Sequence, residues 1–200
     1  TDMSQPLAPA AGNALEVIAV METLTGAQVS TALWDLTMAL GGEALALGGI
    51  ASDARDGATR IEQALESGAA AECFGRMIAA QGGPSDFVDR WPDRLPSAPV
   101  VAEVLSDSDG FVVGIDGRAL GEAVVHLGGG RLREGDKINP SVGLADLAGI
   151  GDSVGRGVPL ALIHAATEAE AETAARAVGR AYRIGTSAPD ELPLVLKKIT

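Results

Sequence analysis

The chain has 200 residues, 46% apolar and 3% aromatic, and a formal net charge of −12; this length suggests one large domain or two small ones, with about 70% of the unfolded surface buried. The acidic balance, with no basic patch, excludes a nucleic-acid binder and disfavours a membrane surface, and no apolar run reaches the ~20 residues that span a bilayer. A single cysteine, Cys73, forms no internal disulfide and fits a reducing, cytoplasmic setting.

The opening "TDMSQPLAPAAGNALEV" reads as a polar loop feeding a helix. Neither an initiator methionine nor a leader peptide stands before it, so the expectation is a chain that begins mid-protein. Asn13 and Glu16 have capping-box spacing, and Leu15, Ile18 and Met21 form an apolar stripe up to Gly26. A second helix is expected from about Ser30 to Gly48, and a third from Ser52-Asp53 to Gly68. A fourth carries Cys73, Phe74, Met77 and Ile78 and stops at Gly82-Gly83-Pro84. Cys73 lies in that helix's apolar stripe, so a buried, inert thiol is expected.

"WPDRLPSAP" holds three prolines, which rules out helix interior and marks a linker or a crossover between two subregions. Beyond it the period changes. "VVAEVL", a turn at Asp109-Gly110 and "FVVGI" read as a hairpin. Ala119 to Leu127 form a helix stripe that ends at Gly128-Gly129-Gly130. Short strands are expected at Val142–Leu144, Asp152–Val154 and Leu160–Ala165. Thr167 and Glu170 open a helix to about Arg183, and "LPLVLKKI" closes the chain as a strand. The fold class is therefore α/β in the α+β sense. Residues 1–95 are mostly helical, and 96–200 form a mixed lobe.

Few groups look chemical. "LGGGRLREGD" is no phosphate loop. Its glycines follow a helix, at the negative carboxyl end, and no Gly-Lys-Ser/Thr comes after. His126 and His164 are the only histidines and lack nearby Cys or His partners, so a zinc site is not expected. Glu168, Glu170 and Glu172 suit a solvated helix start. "GDSVGRGVPLALIHAATEAE" resembles the strand pair of biotinyl and lipoyl carrier domains, with barrel-sandwich-like strands. Those carriers need a lysine on the hairpin, and here Ala165-Ala166-Thr167 occupies the place.

Four blocks together resemble the thymidine and pyrimidine-nucleoside phosphorylases: "TDMSQPLAPAAGNALEV", "AAECFGRMIAAQGGPSDFV", "DGRALGEAVVHLGGGR" and "INPSVGLADLAGIGDSVGRGVPLALIHA". They occur in family order and spacing, and "PLVLKKI" is similar to the family's carboxyl end. The resemblance implies a pentosyltransferase of nucleoside salvage: thymidine and phosphate give thymine and 2-deoxyribose 1-phosphate. It also implies a small helical domain and a larger α/β domain with a cleft between them. The family's phosphate- and pyrimidine-binding residues lie upstream, and no residue of this chain matches them. The expected catalytic and substrate-binding set within the chain is therefore empty. Phosphate is a co-substrate, and no cofactor is implied beyond a monovalent cation. In some members two backbone carbonyls, here Leu7 and Ala10, and a glutamate hold that cation. Ala19 stands at the glutamate's place, with Glu16 and Glu22 three residues away on either side. A loop end packed on the cleft floor is the expectation.

The resemblance implies a carboxyl-terminal part that is inactive alone, whose partner is the missing amino-terminal half. The parent would be a homodimer. The alternatives are a non-catalytic binding or assembly module on the same lobe, and part of a broad-specificity pyrimidine or AMP phosphorylase.

Overall fold

Ser30, Asp53, Asp116 and Thr167 each accept a hydrogen bond from the amide three residues on, and each starts a helix. These caps satisfy amides that have no intrahelical partner. The computed structural model describes residues 1–199. It is a mixed helix and sheet structure with two antiparallel sheets, neither closed into a barrel among the described residues. The chain divides into two compact units: Ile18–Arg94 with the tail from Leu194, and Asp2–Val17 with Leu95–Pro193.

The first unit is helical. It holds most of α1 (Asn13–Thr25), then α2 (Thr31–Leu47), α3 (Ala54–Glu66), α4 (Ala69–Ala80) and α5 (Phe87–Arg94). Gly42 and Gly57 let α2 and α3 meet backbone to backbone. A Cβ on Gly57 would lie 2.5 Å from the Gly42 carbonyl oxygen. Phe74 of α4 tilts against Phe87 of α5, with ring centroids 6.1 Å apart. The segment expected to be a linker is helical as far as Arg94. Pro92 is tolerated because Arg90 leaves helical geometry (φ −131°), so the proline sits near the start of a fresh turn rather than inside one. Cys73 is exposed, not buried as its stripe suggested. The tail is tied by an ion pair from Lys198 to Glu43. Its "LPLVLKKI" run forms no strand, although it has the composition of one, because no ladder partner is aligned with it.

The second unit contains both sheets. β1 (Ala11–Gly12), β4 (Gly143–Ala145), β6 (Pro159–Ala165) and β2 (Val100–Leu105) form one sheet in that order. β5 (Ser153–Val154), β3 (Gly110–Ile115) and β7 (Tyr182–Gly185) form the other. The expected hairpin of β2 with β3 is absent. β2 pairs with β6, and β3 pairs with β5 and β7. The carrier-like pair is likewise divided, with β5 in one sheet and β6 in the other. Ser106 explains part of this change of sheet: its amide donates to Val158 and its carbonyl accepts from Gly157, so the chain leaves β2 bonded to the turn before β6.

Helix α6 (Gly117–Val124) runs on into a π-helical turn, Val125–Gly129, and α7 (Glu168–Ala181) packs on β2, β6 and α6. Alternation along β6 buries Ala161, Ile163 and Ala165, which join Val112, Leu120, Val142, Leu144 and Val178 in one apolar core. α7 ends at Ala181, two residues short of the expected Arg183, because Tyr182 is already extended and paired in β7.

Candidate functional site

The opening loop is bonded to the rest of the second unit at Gln5, Pro9 and β1. Ser4 donates to Asp2, whose carboxyl is held below the usual range chiefly by that hydroxyl. Gln5 Oε1 accepts from the Ile150 amide at 2.7 Å, the Pro9 carbonyl accepts from Leu147, and β1 pairs with β4. Gly12 and Gly143 face one another across that ladder at φ 135° and 154°. A Cβ on Gly143 would lie 2.5 Å from the Ala11 carbonyl.

The capping box expected at Asn13 is rearranged. Glu16 Oε1 accepts from Gly12 N at 2.8 Å, and Asn13 Nδ2 donates to the Gly129 carbonyl, also at 2.8 Å. Of the two carbonyl positions that resemble a cation site, Leu7 is exposed and Ala10 half-buried. Glu16, the nearest carboxylate before Ala19, is committed to the Gly12 amide. Among the described residues no group of three His, Cys, Asp or Glu side chains is arranged to hold a metal ion.

The glycine run ends a helix. Gly128 takes φ 93°, and its carbonyl accepts from Asn139. The run thus presents carbonyls, not amides, to its neighbours, which is the wrong polarity for phosphate. His126 lies exposed in the π-helical turn with Nδ1 2.7 Å from the Glu122 carbonyl. It stands over a groove between α6 and α7 whose floor is mostly alanine. His164 is on β6, half-buried, and opposite Gly143 and Val101. Burial pushes its pKa down, and Asp146 partly opposes the shift. The two histidines share no site. Tyr182 donates to the Ala148 carbonyl at 3.2 Å, and burial raises its pKa.

A second cleft of this unit was not legible in the sequence. Arg118 near the start of α6, Arg180 at the end of α7 and Arg183 on β7 line it, with Ser4 and Gln5 opposite. Arg180 and Arg183 are near neighbours, but Arg118 and the opening loop are distant from them in the chain, so no spacing rule joins the set.

The second unit is a mixed lobe of two antiparallel sheets with helices packed on them. Residues 111–185 match the family model of the pyrimidine nucleoside phosphorylase C-terminal domain. That stretch is thus similar to the C-terminal domain of the pyrimidine nucleoside phosphorylases. No helix among the described residues is long and apolar enough to cross a membrane.

Proposed function

We propose that this chain is the carboxyl-terminal part of a thymidine phosphorylase. The parent enzyme cleaves thymidine with phosphate, which attacks C1′ and releases thymine as the leaving anion. A cationic sugar and an anionic base develop in that transition state, so positive side chains at base and phosphate supply electrostatic stabilisation. Holding both substrates together in a closing cleft supplies much of the rest. In this reading those side chains belong to an upstream half, and this chain contributes scaffold and one cleft wall. The parent works as a cytoplasmic homodimer. The loop carbonyls of Leu7 and Ala10 pack rather than bind a cation.

One observation carries the reading: the phosphorylase C-terminal match across residues 111–185. The commitment of Glu16 to the Gly12 amide favours the packed loop over a cation site.

The test is thymine release from thymidine and phosphate by the 200-residue chain. None is expected. Turnover near a typical ~10 s⁻¹ would overturn the division of labour. Adding the upstream half of a family member is expected to restore phosphorolysis. Uridine and deoxyadenosine, run in parallel, decide between thymidine preference and a broader base range.

A further inference from the structure

We propose that the cleft between the start of α6, the end of α7 and β7 is an anion site for a phosphate group. It is independent of the proposed reaction and lies wholly within the second unit. Three guanidinium groups from three separate elements line it: Arg118, Arg180 and Arg183. Asp116 is the one carboxylate in the lining, and its Oδ1 is occupied in accepting from Ala119 N at 3.0 Å. The lining therefore carries a surplus of positive charge on a chain whose net charge is −12.

Arg118 shares its charge with Glu122, which holds Nε at 2.9 Å. Neither Arg180 nor Arg183 has an ion-pair partner among the described residues. Their charges are therefore not neutralised by a carboxylate within the cleft, where Asp116 is bonded to the Ala119 amide.

The backbone favours the arrangement. β3 carries a bulge between Val112 and Gly114, which sets Gly114 opposite Arg183 of β7. Gly114 leaves the space that the Arg183 guanidinium fills. A Cβ there would come within 2.3 Å of Arg183 Nη2. The first amides of α6, at Gly117 and Arg118, have no intrahelical acceptor, and no atom crowds the open side of Gly117. Gln5 spends its carbonyl oxygen on Ile150, which leaves its amide nitrogen as a donor. Guanidinium groups match phosphate oxygens in pairs, and a phosphate dianion uses several at once.

The chain, labelled with ¹⁵N, is titrated at low ionic strength with inorganic phosphate and, separately, with ribose 5-phosphate, a monoester. Saturable shifts centred on Gly117 and Arg118 are expected, with a dissociation constant of about 1 mM or tighter. The tighter of the two ligands identifies the source of the phosphate group. Arg180→Gln and Arg183→Gln are each expected to weaken binding about tenfold. Both side chains are exposed, so the fold is retained. Arg131→Gln, outside the cleft, leaves binding unchanged. The proposal is overturned by absence of saturation with both ligands, by equal shifts from sodium chloride at matched ionic strength, or by unchanged affinity in both cleft variants.

Discussion

Phe111 and Gly185 are paired partners across the β3–β7 ladder, and they are also the first and last residues of the stretch that matches the phosphorylase C-terminal domain. The matched segment therefore closes on itself at its ends. The strands and helices between them, β3 to β7, hold most of the core. β1 and β2 complete the four-stranded sheet from outside that segment.

The glycine pair at the β1–β4 ladder is expected to be intolerant. Gly143→Ala puts a Cβ against the Ala11 carbonyl and forces an L-residue to φ 154°. A loss of about 2 kcal/mol or more is expected in urea unfolding. Gly121→Ala is the contrast, an exposed helix position with nothing near its absent Cβ. It is expected to stabilise by about 0.5–1 kcal/mol. Equal effects at the two sites would contradict the close approach at Gly143.

Asn13→Asp separates two roles. Aspartate is as good a helix cap as asparagine, so a capping residue would tolerate the change. Here the side chain donates to the Gly129 carbonyl. Aspartate has no donor and sets a charge against that oxygen. A loss of about 1–3 kcal/mol is expected by the same measurement.

Tyr182 and His164 give opposite pH signatures. Burial raises the Tyr182 pKa, so the folded state holds the neutral phenol. Its contribution is complete below the unfolded value of about 10 and is lost as pH rises through the higher folded value. Tyr182→Phe is expected to remove that alkaline loss and to cost about 1 kcal/mol at neutral pH for the missing bond to Ala148. His164 is held below its usual value, largely by burial. Its contribution is present above about 6.5 and is lost as pH falls through the lower folded value. Melting temperatures at pH 7.5 and 5, with His164→Gln as comparison, read this out. A wild-type chain whose acid loss matches the variant's would remove His164 as the cause.

Cys73 is expected to react with a thiol reagent in the native state, in full and without denaturant, because it is exposed. Protection released only by urea would place it in the core instead.

Local signals in the sequence served well where a local interaction decides the outcome. Ser30, Asp53 and Thr167 start helices because each cap satisfies an amide within its own turn. Strand positions at β4, β5 and β6 were legible from apolar composition and flanking turn residues. Partners were not. β2 and β3 are separated by a hairpin-like turn, yet they enter different sheets, because pairing depends on residues 54 to 74 positions away. Asn13 misled for a similar reason: its capping signature is local, but a distant carbonyl claims the side chain. The apolar stripe of α4 overstated burial at Cys73, which is exposed while Phe74 beside it packs on Phe87. The arginine cleft was invisible because α6 meets the distant α7–β7 junction and the opening loop there.

The loop at the start of the second unit imposes an order on its assembly. Residues 2–17 belong with residues 95–193, and β1 waits for β4 some 130 positions later. A ribosome adding roughly 5–20 residues per second leaves that loop without its mate for several seconds. Through that interval the helical residues between them are free to condense first, and the sheet's edge is laid down last. Variants that weaken β1 should therefore hasten unfolding more than they retard folding.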